Sequence, residues 1–201
     1  MALSKIDMSK MTTGTLGVAN GGTGLTSGTT DQILKFTGTT TLASAAEAAG
    51  GKILQVTNGD YSTQHNNSTD DLADIGVSAT ITPAATSSKI FITADTQYSM
   101  AAVGSQTFMG GVNIFADKGG AGYNKISGGG SFGEYYALGF TSQATGVERR
   151  VNGRWTACML WSPSTTSACT FKLYSHNNAT NGLSCTYDSI TTHINLMEVG
   201  A

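Results

Sequence analysis

The chain has 201 residues, a formal net charge of −2 and only 12% charged residues, about half of the charged share of ordinary globular proteins. It contains no basic stretch that would favour nucleic acid, and no apolar run of the roughly 20 residues that a membrane span requires. With 26 glycines and 2 prolines, the composition favours short strands joined by tight turns over a helical bundle.

The first 28 residues cannot form a core of their own. "MALSKIDMSKMTT" contains weakly amphipathic Leu3, Ile6, Met8 and Met11 and is too short to be a stable free helix, so we expect it to become ordered only on a partner. "GTLGVANGGTGLTSG" follows, with few large side chains and almost no charge. Its composition fits either a flexible linker or a segment that assembly orders.

Two short elements follow this segment. "QILKF", residues 32–36, predicts one strand. "LASAAEAAG", residues 42–50, predicts about two helical turns, in which Ser44 is the N-cap, Glu47 its capping-box partner and Gly50 the C-terminal stop. Residues 1–50 are therefore interpreted as an extended N-terminal arm followed by a short helical neck.

From residue 51 the apolar side chains follow period two, which is typical of half-buried antiparallel strands. Asn152-Gly153 between two alternating runs predicts a hairpin with a type I′ turn, and the Gly110-Gly111 pair suggests a bulge. The three cysteines, Cys158, Cys169 and Cys185, fit no zinc spacing and are expected to be buried thiols. The other predicted strands are 52–57, 75–81, 88–99, 108–117, 134–140, 168–176 and 189–199.

Residues 51–201 are accordingly predicted to be one all-β head of about eight to ten strands, an antiparallel β-sandwich of the jelly-roll-like kind.

Two stretches resemble one class of proteins. "VANGGTG", residues 18–24, followed by an Ala-rich turn and "GKILQV", resembles the N-terminal region of bacteriophage tail-fibre and related virion-fibre proteins. "DIGVSATITPAATSSKIFITADTQYS", residues 74–99, resembles a head segment of phage fibre and appendage proteins. The resemblance as a whole covers roughly residues 14–99, about two fifths of the chain.

The resemblance implies a homotrimeric virion protein, made in the host cytoplasm, whose head faces outward and binds host cell-surface polysaccharide. Its N-terminus would attach to another virion protein, a tail adaptor or nozzle or the capsid, and the candidate attachment residues are Leu3, Ile6, Met8 and Met11. The candidate trimer stalk is Val18, Asn20, Gly21, Gly22 and Gly24, where glycine lets three backbones approach closely. A short trimeric tail fibre is the leading interpretation, and a trimeric head fibre that decorates the capsid is the alternative.

Aromatic and basic residues of the head are candidates for receptor binding. An aromatic ring can stack on the apolar face of a sugar, and an arginine can meet an anionic glycan. The alternatives are a core or trimer-interface position for the rings and a solvated hairpin tip for the arginines. The candidates are Tyr123, Tyr135, Tyr136, Arg149, Arg150 and Trp155.

A small hydrolase that acts on polysaccharide is the rival hypothesis. Residues 129–133 match G-x-S-x-G around Ser131, with Asp188 and His193 downstream, but the strand–turn–helix context of a nucleophile elbow is missing. Asp70, Asp71 and Asp74 fit a solvated acidic loop better than a calcium site. We therefore expect no catalysis, no cofactor and no bound metal.

Overall fold

The computed structural model describes residues 29–39, 41–46, 51–69, 71–103, 106–127, 138–142, 148–177, 183–185 and 190–200. For strand residues 102–103, 106–109, 138–142, 148–149 and 183–184, only the backbone is described. The chain divides into two units, Met1–Ala49 and Gly50–Ala201. Within the described ranges every regular element is a β-strand, so there is no helix there that could span a membrane.

The first unit contains a hairpin of strands β1 (Ile33–Phe36) and β2 (Leu42–Ala45), which pair antiparallel. The strand predicted at 32–36 is thus confirmed, and the helix predicted from residue 42 is wrong over 42–45. Ser44 does not cap a helix, because its hydroxyl donates to Gln32 Oε1 (2.7 Å) and accepts from the backbone N–H of Thr29 (3.3 Å). Residues 47–50 of the predicted helical neck lie outside the described residues.

The second unit contains two antiparallel sheets. The six-stranded sheet consists of β3 (Ile53–Tyr61), β4 (His65–Asn67), β6 (Lys89–Val103), β10 (Glu148–Trp161), β12 (Leu183–Cys185) and β13 (Thr192–Val199). The five-stranded sheet consists of β5 (Ala73–Ile81), β7 (Gln106–Lys118), β8 (Tyr123–Lys125), β9 (Leu138–Ser142) and β11 (Cys169–Asn177).

Strand β6 is the centre of the six-stranded sheet. One of its edges pairs first with β13 and then with β12, and these strands pair in turn with β3 and β4. Its other edge pairs with β10 from Ile90 to Val103. In the five-stranded sheet the order is β5-β11-β7-β8, and β9 pairs with the start of β7. The predicted all-β fold with antiparallel sheets is confirmed.

One hydrophobic core lies between the inner faces of the two sheets. Every second residue is buried there in β11 and β13, over residues 75–81 of β5 and over residues 90–96 of β6, as the period-two pattern predicts. The buried set includes Ile75, Val77, Ile81, Ile90, Ile92, Ala94, Ile114, Cys169, Phe171, Leu173, Cys185, Ile194 and Leu196. Cys158 is exposed, contrary to expectation, because it lies on the outward-facing side of β10 between inward-facing Ala157 and Met159.

The Asn152-Gly153 hairpin prediction is wrong, because β10 runs through both residues and pairs with β6 without interruption. Gly153 instead leaves room for the side chain of Tyr98, the residue opposite it on β6. A Cβ built on Gly153 would lie 2.6 Å from the hydroxyl oxygen of Tyr98. The bulge expected at Gly110-Gly111 is likewise absent, since both glycines pair with β11 in regular register.

Trp155 lies in the core, with 9% of its surface exposed. It is on the inward-facing side of β10, two residues before Ala157, which packs against the same core. Its ring is therefore enclosed by apolar side chains and is not presented to a sugar. The prediction of Trp155 as a receptor-binding residue does not fit this position.

The two sheets come into close contact where β3 passes β5. A Cβ built on Gly59 would lie 1.9 Å from the carbonyl oxygen of Ser78. Nearby, Gly76 has a φ of 106°. The ring of Tyr61 packs over it, where a Cβ on Gly76 would lie 2.6 Å from the ring. Glycine at these two positions lets the backbones and the tyrosine ring pack without a clash.

Glu198 is a carboxylate on the inward-facing side of β13 with no exposed surface. It accepts hydrogen bonds from the backbone N–H of Ala84 (2.7 Å) and from the Gln55 amide (2.5 Å). Burial acts to raise the pKa of Glu198, but these hydrogen bonds and the nearby Ser88 hydroxyl outweigh it and hold that pKa below its usual range. The carboxylate thereby ties β3 and the loop after β5 to the last strand.

Replacing Gly59 with alanine is expected to lower the free energy of unfolding by about 2 kcal/mol or more, since the new methyl group overlaps a backbone carbonyl that cannot rotate away. Urea unfolding followed by tryptophan fluorescence measures the change, because both tryptophans, Trp155 and Trp161, lie in the second unit. The neighbouring variant Asn58→Ala is the control and should shift stability by less than about 0.5 kcal/mol. Equal stability of both variants would contradict the close approach of β3 to β5.

Glu198→Gln is expected to destabilise the protein by roughly 1–3 kcal/mol at pH 7. The NH₂ group of the new glutamine would face either the Ala84 N–H or the Gln55 amide, and that donor would lose its acceptor. The folded-state pKa of Glu198 is depressed, so its contribution is present above the unfolded-state pKa and is lost as pH falls through the folded-state pKa. The stabilities of wild type and variant, measured by urea unfolding, should therefore converge as the pH falls through the folded-state pKa, which lies below the usual range of a glutamate.

The exposed carboxylate variant Asp71→Asn is the control and should follow the wild type over the same pH range. A constant difference between wild type and Glu198→Gln at all pH values would contradict the assignment.

Candidate functional site

The outer face of the five-stranded sheet carries a cluster of aromatic and charged side chains. Strand β11 alternates, so that Phe171 and Leu173 point into the core while Lys172 and Tyr174 point outward. The strand register places Asp74 of β5 and Phe115 of β7 beside them, and β8 adds Tyr123. We call Asp74, Phe115, Tyr123, Lys172 and Tyr174 the aromatic face.

Three rings of the aromatic face contact one another in sequence. The ring centroids of Phe115 and Tyr174 are 4.6 Å apart, and those of Tyr174 and Tyr123 are 6.2 Å apart, with tilted planes in both pairs. Phe115 is almost fully buried beneath the cluster, whereas both tyrosines are half-buried. Phe115 thus supports the ring of Tyr174, which in turn contacts the ring of Tyr123, and both tyrosines reach solvent.

Lys172 and Asp74 place one charge of each sign beside these rings. Lys172 Nζ is 2.7 Å from Asp74 Oδ2 and 5.0 Å from the centre of the Tyr123 ring, a cation–π distance. The hydrogen bond to Asp74 raises the pKa of Lys172, so its ammonium group stays charged at neutral pH. Burial, followed by the charge of Asp74, raises the pKa of Tyr174, so its phenol stays protonated.

Such a surface can bind a sugar ring without any covalent chemistry. Tyrosine offers an apolar ring face with a hydrogen-bonding hydroxyl at its edge. Binding sites commonly combine aromatic surface with a few placed polar groups that orient the ligand, and here the ammonium of Lys172 can donate while the carboxylate of Asp74 can accept. Thr80 and Thr170, joined by a 2.9 Å contact between their hydroxyls, add further polar groups to the same sheet face.

A buried serine–histidine contact joins the two sheets elsewhere. Ser175 Oγ of β11 is 3.0 Å from His65 Nε2 of β4, and the Asn67 amide donates to the same oxygen over 3.3 Å. Burial lowers the pKa of His65, and the charge of Asp74 opposes that shift. Ser175 has no exposed surface, so its hydroxyl is not accessible to a substrate. The contact satisfies buried polar groups and connects β4 to β11.

Of the three residues in the hydrolase hypothesis, the structure describes only His193. Within the described ranges, no three His, Cys, Asp or Glu side chains come together as a metal ion would require. His193 pairs with Asp60, over 2.8 Å, while Ser131 and Asp188 lie outside the described residues. Asp74 of the predicted acidic loop instead pairs with Lys172.

The structure separates the predicted receptor-binding residues. Tyr123 belongs to the aromatic face, Arg150 is exposed on β10 of the other sheet, and Trp155 is in the core. The side chain of Arg149 and both Tyr135 and Tyr136 lie outside the described residues. So do the predicted attachment and stalk residues, Leu3, Ile6, Met8, Met11, Val18, Asn20, Gly21, Gly22 and Gly24.

Sequence reasoning missed four members of the aromatic face, Asp74, Phe115, Lys172 and Tyr174. A signal for two of them was present, since the alternation of residues 168–176 already puts Lys172 and Tyr174 opposite the apolar side chains. Nothing local places them beside Tyr123, which is about 50 positions earlier in the chain and meets them through β7.

No protein-family model and no curated protein sequence matches the chain. Among solved structures, the chain is similar to one titled "Structure of infectious bursal disease virus Gx strain", with 12% identity and a TM-score of 0.33 over 85% of this chain and 41% of that chain. It is also similar to one titled "Structure of infectious bursal disease virus Gt strain", with 11% identity and a TM-score of 0.29 over 85% and 43%.

A third similar structure is titled "CBM4 structure and function", with 10% identity and a TM-score of 0.26 over 72% of this chain and 94% of that chain. The chain spans about two fifths of the length of the two viral chains. With every TM-score below 0.5, none of these similarities carries an argument about function.

Proposed function

We propose that this protein is a non-enzymatic fibre of a bacteriophage particle, a homotrimer whose β-sandwich head binds polysaccharide on the host surface. The observation that carries the adhesive role is the aromatic face, where Tyr123 and Tyr174 reach solvent beside Lys172 and Asp74. The resemblance of residues 14–99 to phage fibre proteins supports the virion role. A tail position is proposed first, and the N-terminal arm is the segment that would attach to the particle.

The β1–β2 hairpin supports self-association. Its Ile33, Leu34 and Phe36 are exposed, Phe36 to 69%, and among the described residues its sheet has two strands. An isolated two-stranded hairpin is at best marginally stable in water. Equivalent hairpins of neighbouring copies would supply the missing apolar contacts, which explains why a segment with exposed large side chains precedes the head.

Adhesion through weak sites also favours several copies per particle. A single shallow face with two tyrosines contributes little binding energy, because each aromatic contact is worth only about 0.5–1.5 kcal/mol. Three heads on one fibre, and many fibres on one particle, convert later contacts into intramolecular ones and raise the avidity by roughly 10² or more.

The native mass of the purified chain, measured by light scattering, is expected to be three times 20.7 kDa. Phe36→Asp should shift the mass towards the monomer, because a charge then enters the apolar contact between hairpins. The variant Thr39→Asp, at the exposed turn of the same hairpin, is the control and should keep the wild-type mass. A monomer at all concentrations would contradict the homotrimer.

Tyr123→Ala and Tyr174→Ala are each expected to weaken binding to immobilised bacterial polysaccharides by roughly three- to tenfold per site, since each removes a stacking surface. A panel of lipopolysaccharides and capsular polysaccharides, read by surface plasmon resonance with the full-length protein, measures the change. Tyr123→Phe keeps the ring and is the matched control, with binding close to that of the wild type. Arg150→Ala tests whether the receptor site lies instead on β10 of the six-stranded sheet.

Unchanged binding in both tyrosine-to-alanine variants would show that the site lies elsewhere. Loss of binding only in Arg150→Ala would move the receptor site to β10. If no polysaccharide of the panel binds the wild type, the adhesive role is contradicted, whatever the native mass.

A further inference from the structure

The outer face of the six-stranded sheet carries large apolar side chains in register. Val56 of β3, Met197 of β13, Phe91 of β6 and Leu160 of β10 are direct cross-strand partners in one row. Val199 follows Met197 at the same alternation of β13 and lies at the end of the same face. We call these five residues the apolar band.

The apolar band exposes large apolar side chains to solvent. Val56 is 62% exposed and Leu160 is 53% exposed, while Phe91, Met197 and Val199 are half-buried. Single exposed apolar residues are ordinary, but a contiguous row across four strands marks an interaction surface. The outer face of the other sheet, by contrast, presents threonines, Lys172 and tyrosines.

Beyond a row of short side chains, the same face becomes polar and its carboxylates have partners. His193 Nδ1 of β13 is within hydrogen-bond distance of Asp60 Oδ1 of β3, at 2.8 Å, and Asp95 of β6 pairs with Arg154 of β10. Each carboxylate of this row therefore has a side-chain partner within the face. A second copy that presents the same row would meet carboxylates that already have partners, whereas a strongly charged protein would find little unpaired charge to complement.

The face is large enough for a homo-oligomer. Four strands about 4.8 Å apart and roughly nine residues at 3.3 Å each give a surface of about 600 Å². Specific interfaces begin at about 600 Å² per partner. The face also ends at β10, a 14-residue strand that, in the described part of the chain, pairs only with β6, and long open strand edges are usually covered in stable proteins.

We propose that the outer face of the six-stranded sheet is the surface on which copies of this chain pack against one another, with the apolar band at the centre of the contact. This inference rests on the self-association in the proposed function and adds which face of the head carries it. It leaves the aromatic face, on the opposite side of the sandwich, open to ligands.

Cys158 is a native reporter for this contact. It lies on β10 opposite Thr93, two residues before Leu160 and on the same outward-facing side. The other two thiols are buried, and burial raises the pKa of Cys169 and raises that of Cys185 to about 12, so they react slowly with maleimide. In folded protein, fast labelling therefore reports Cys158.

The test compares maleimide labelling of Cys158 with native mass in the full-length protein. In the assembled wild type, labelling should be slowed at least about tenfold relative to Val56→Asp and Leu160→Glu. Both variants should lose the oligomeric mass, because each buries a charge in the contact. The matched control Thr80→Asp lies on the outer face of the other sheet and should keep both the mass and the protection.

The outcomes separate this inference from the proposed function. A trimeric mass with fast labelling of Cys158 would overturn the inference while the trimer stands, and so would Val56→Asp and Leu160→Glu variants that both stay trimeric. A monomeric wild type would overturn the trimer and this contact together, but not polysaccharide binding. Two variants at separate positions, each checked by urea unfolding, distinguish lost assembly from lost folding.

Discussion

The packing of the two inner sheet faces against each other is the interaction on which the rest of the head depends. Alternation gives each strand one face for the core and one face for solvent. Ile90, Ile92, Phe171 and Leu196 fill the space between the sheets and are fully buried. Once these side chains are packed, the register of every long strand is set, because a slip by one residue would expose them. The outer faces are thereby ordered without contributing to the core.

Order on the outer faces explains how a chain with few charges can carry two different surfaces. On the five-stranded sheet, the fixed register brings tyrosine rings, a lysine and a carboxylate together on strands that are far apart in sequence. On the six-stranded sheet, the same rule aligns large apolar side chains with one another and acidic groups with basic ones. One sandwich therefore presents a face of aromatic and charged side chains and a face with an exposed apolar row, on opposite sides of a common core.

Polar groups inside the sandwich hold the elements that the apolar core alone would leave loose. Glu198 connects β13 to β3 and to the loop after β5, and Asn67 with Ser175 connects β4 to β11. Each of these groups has hydrogen-bond partners, as a buried polar group requires. The serine–histidine contact belongs to this framework. His65 and Ser175 are thus explained by the hydrogen bond between them inside the sandwich. Among the described residues, the side chains that could bind a ligand from solvent lie on the outer faces.

Most of the strands could be predicted from the sequence, because apolar and polar residues alternate within segments such as 88–99 and 168–176. The errors have physical causes. Ser44 and its neighbours have the residues of a capped helix, but pairing with β1 prevails over a weak local propensity. Asn152-Gly153 has the residues of a tight turn, but the long ladder between β10 and β6 continues through it, and the glycine instead makes room for the ring of Tyr98.

The sequence by itself determined that the head is built of antiparallel strands with one apolar side, because side-chain alternation is a property of the extended chain. It also determined that Lys172 and Tyr174 lie opposite the apolar side of their strand. Only the tertiary structure decided that Tyr174 meets Tyr123 and Phe115, that Trp155 is enclosed while Cys158 is exposed, and that Val56 and Leu160 lie in one row. These neighbours come from strands distant in the chain, and their register is set by how the inner faces pack, which no local pattern encodes.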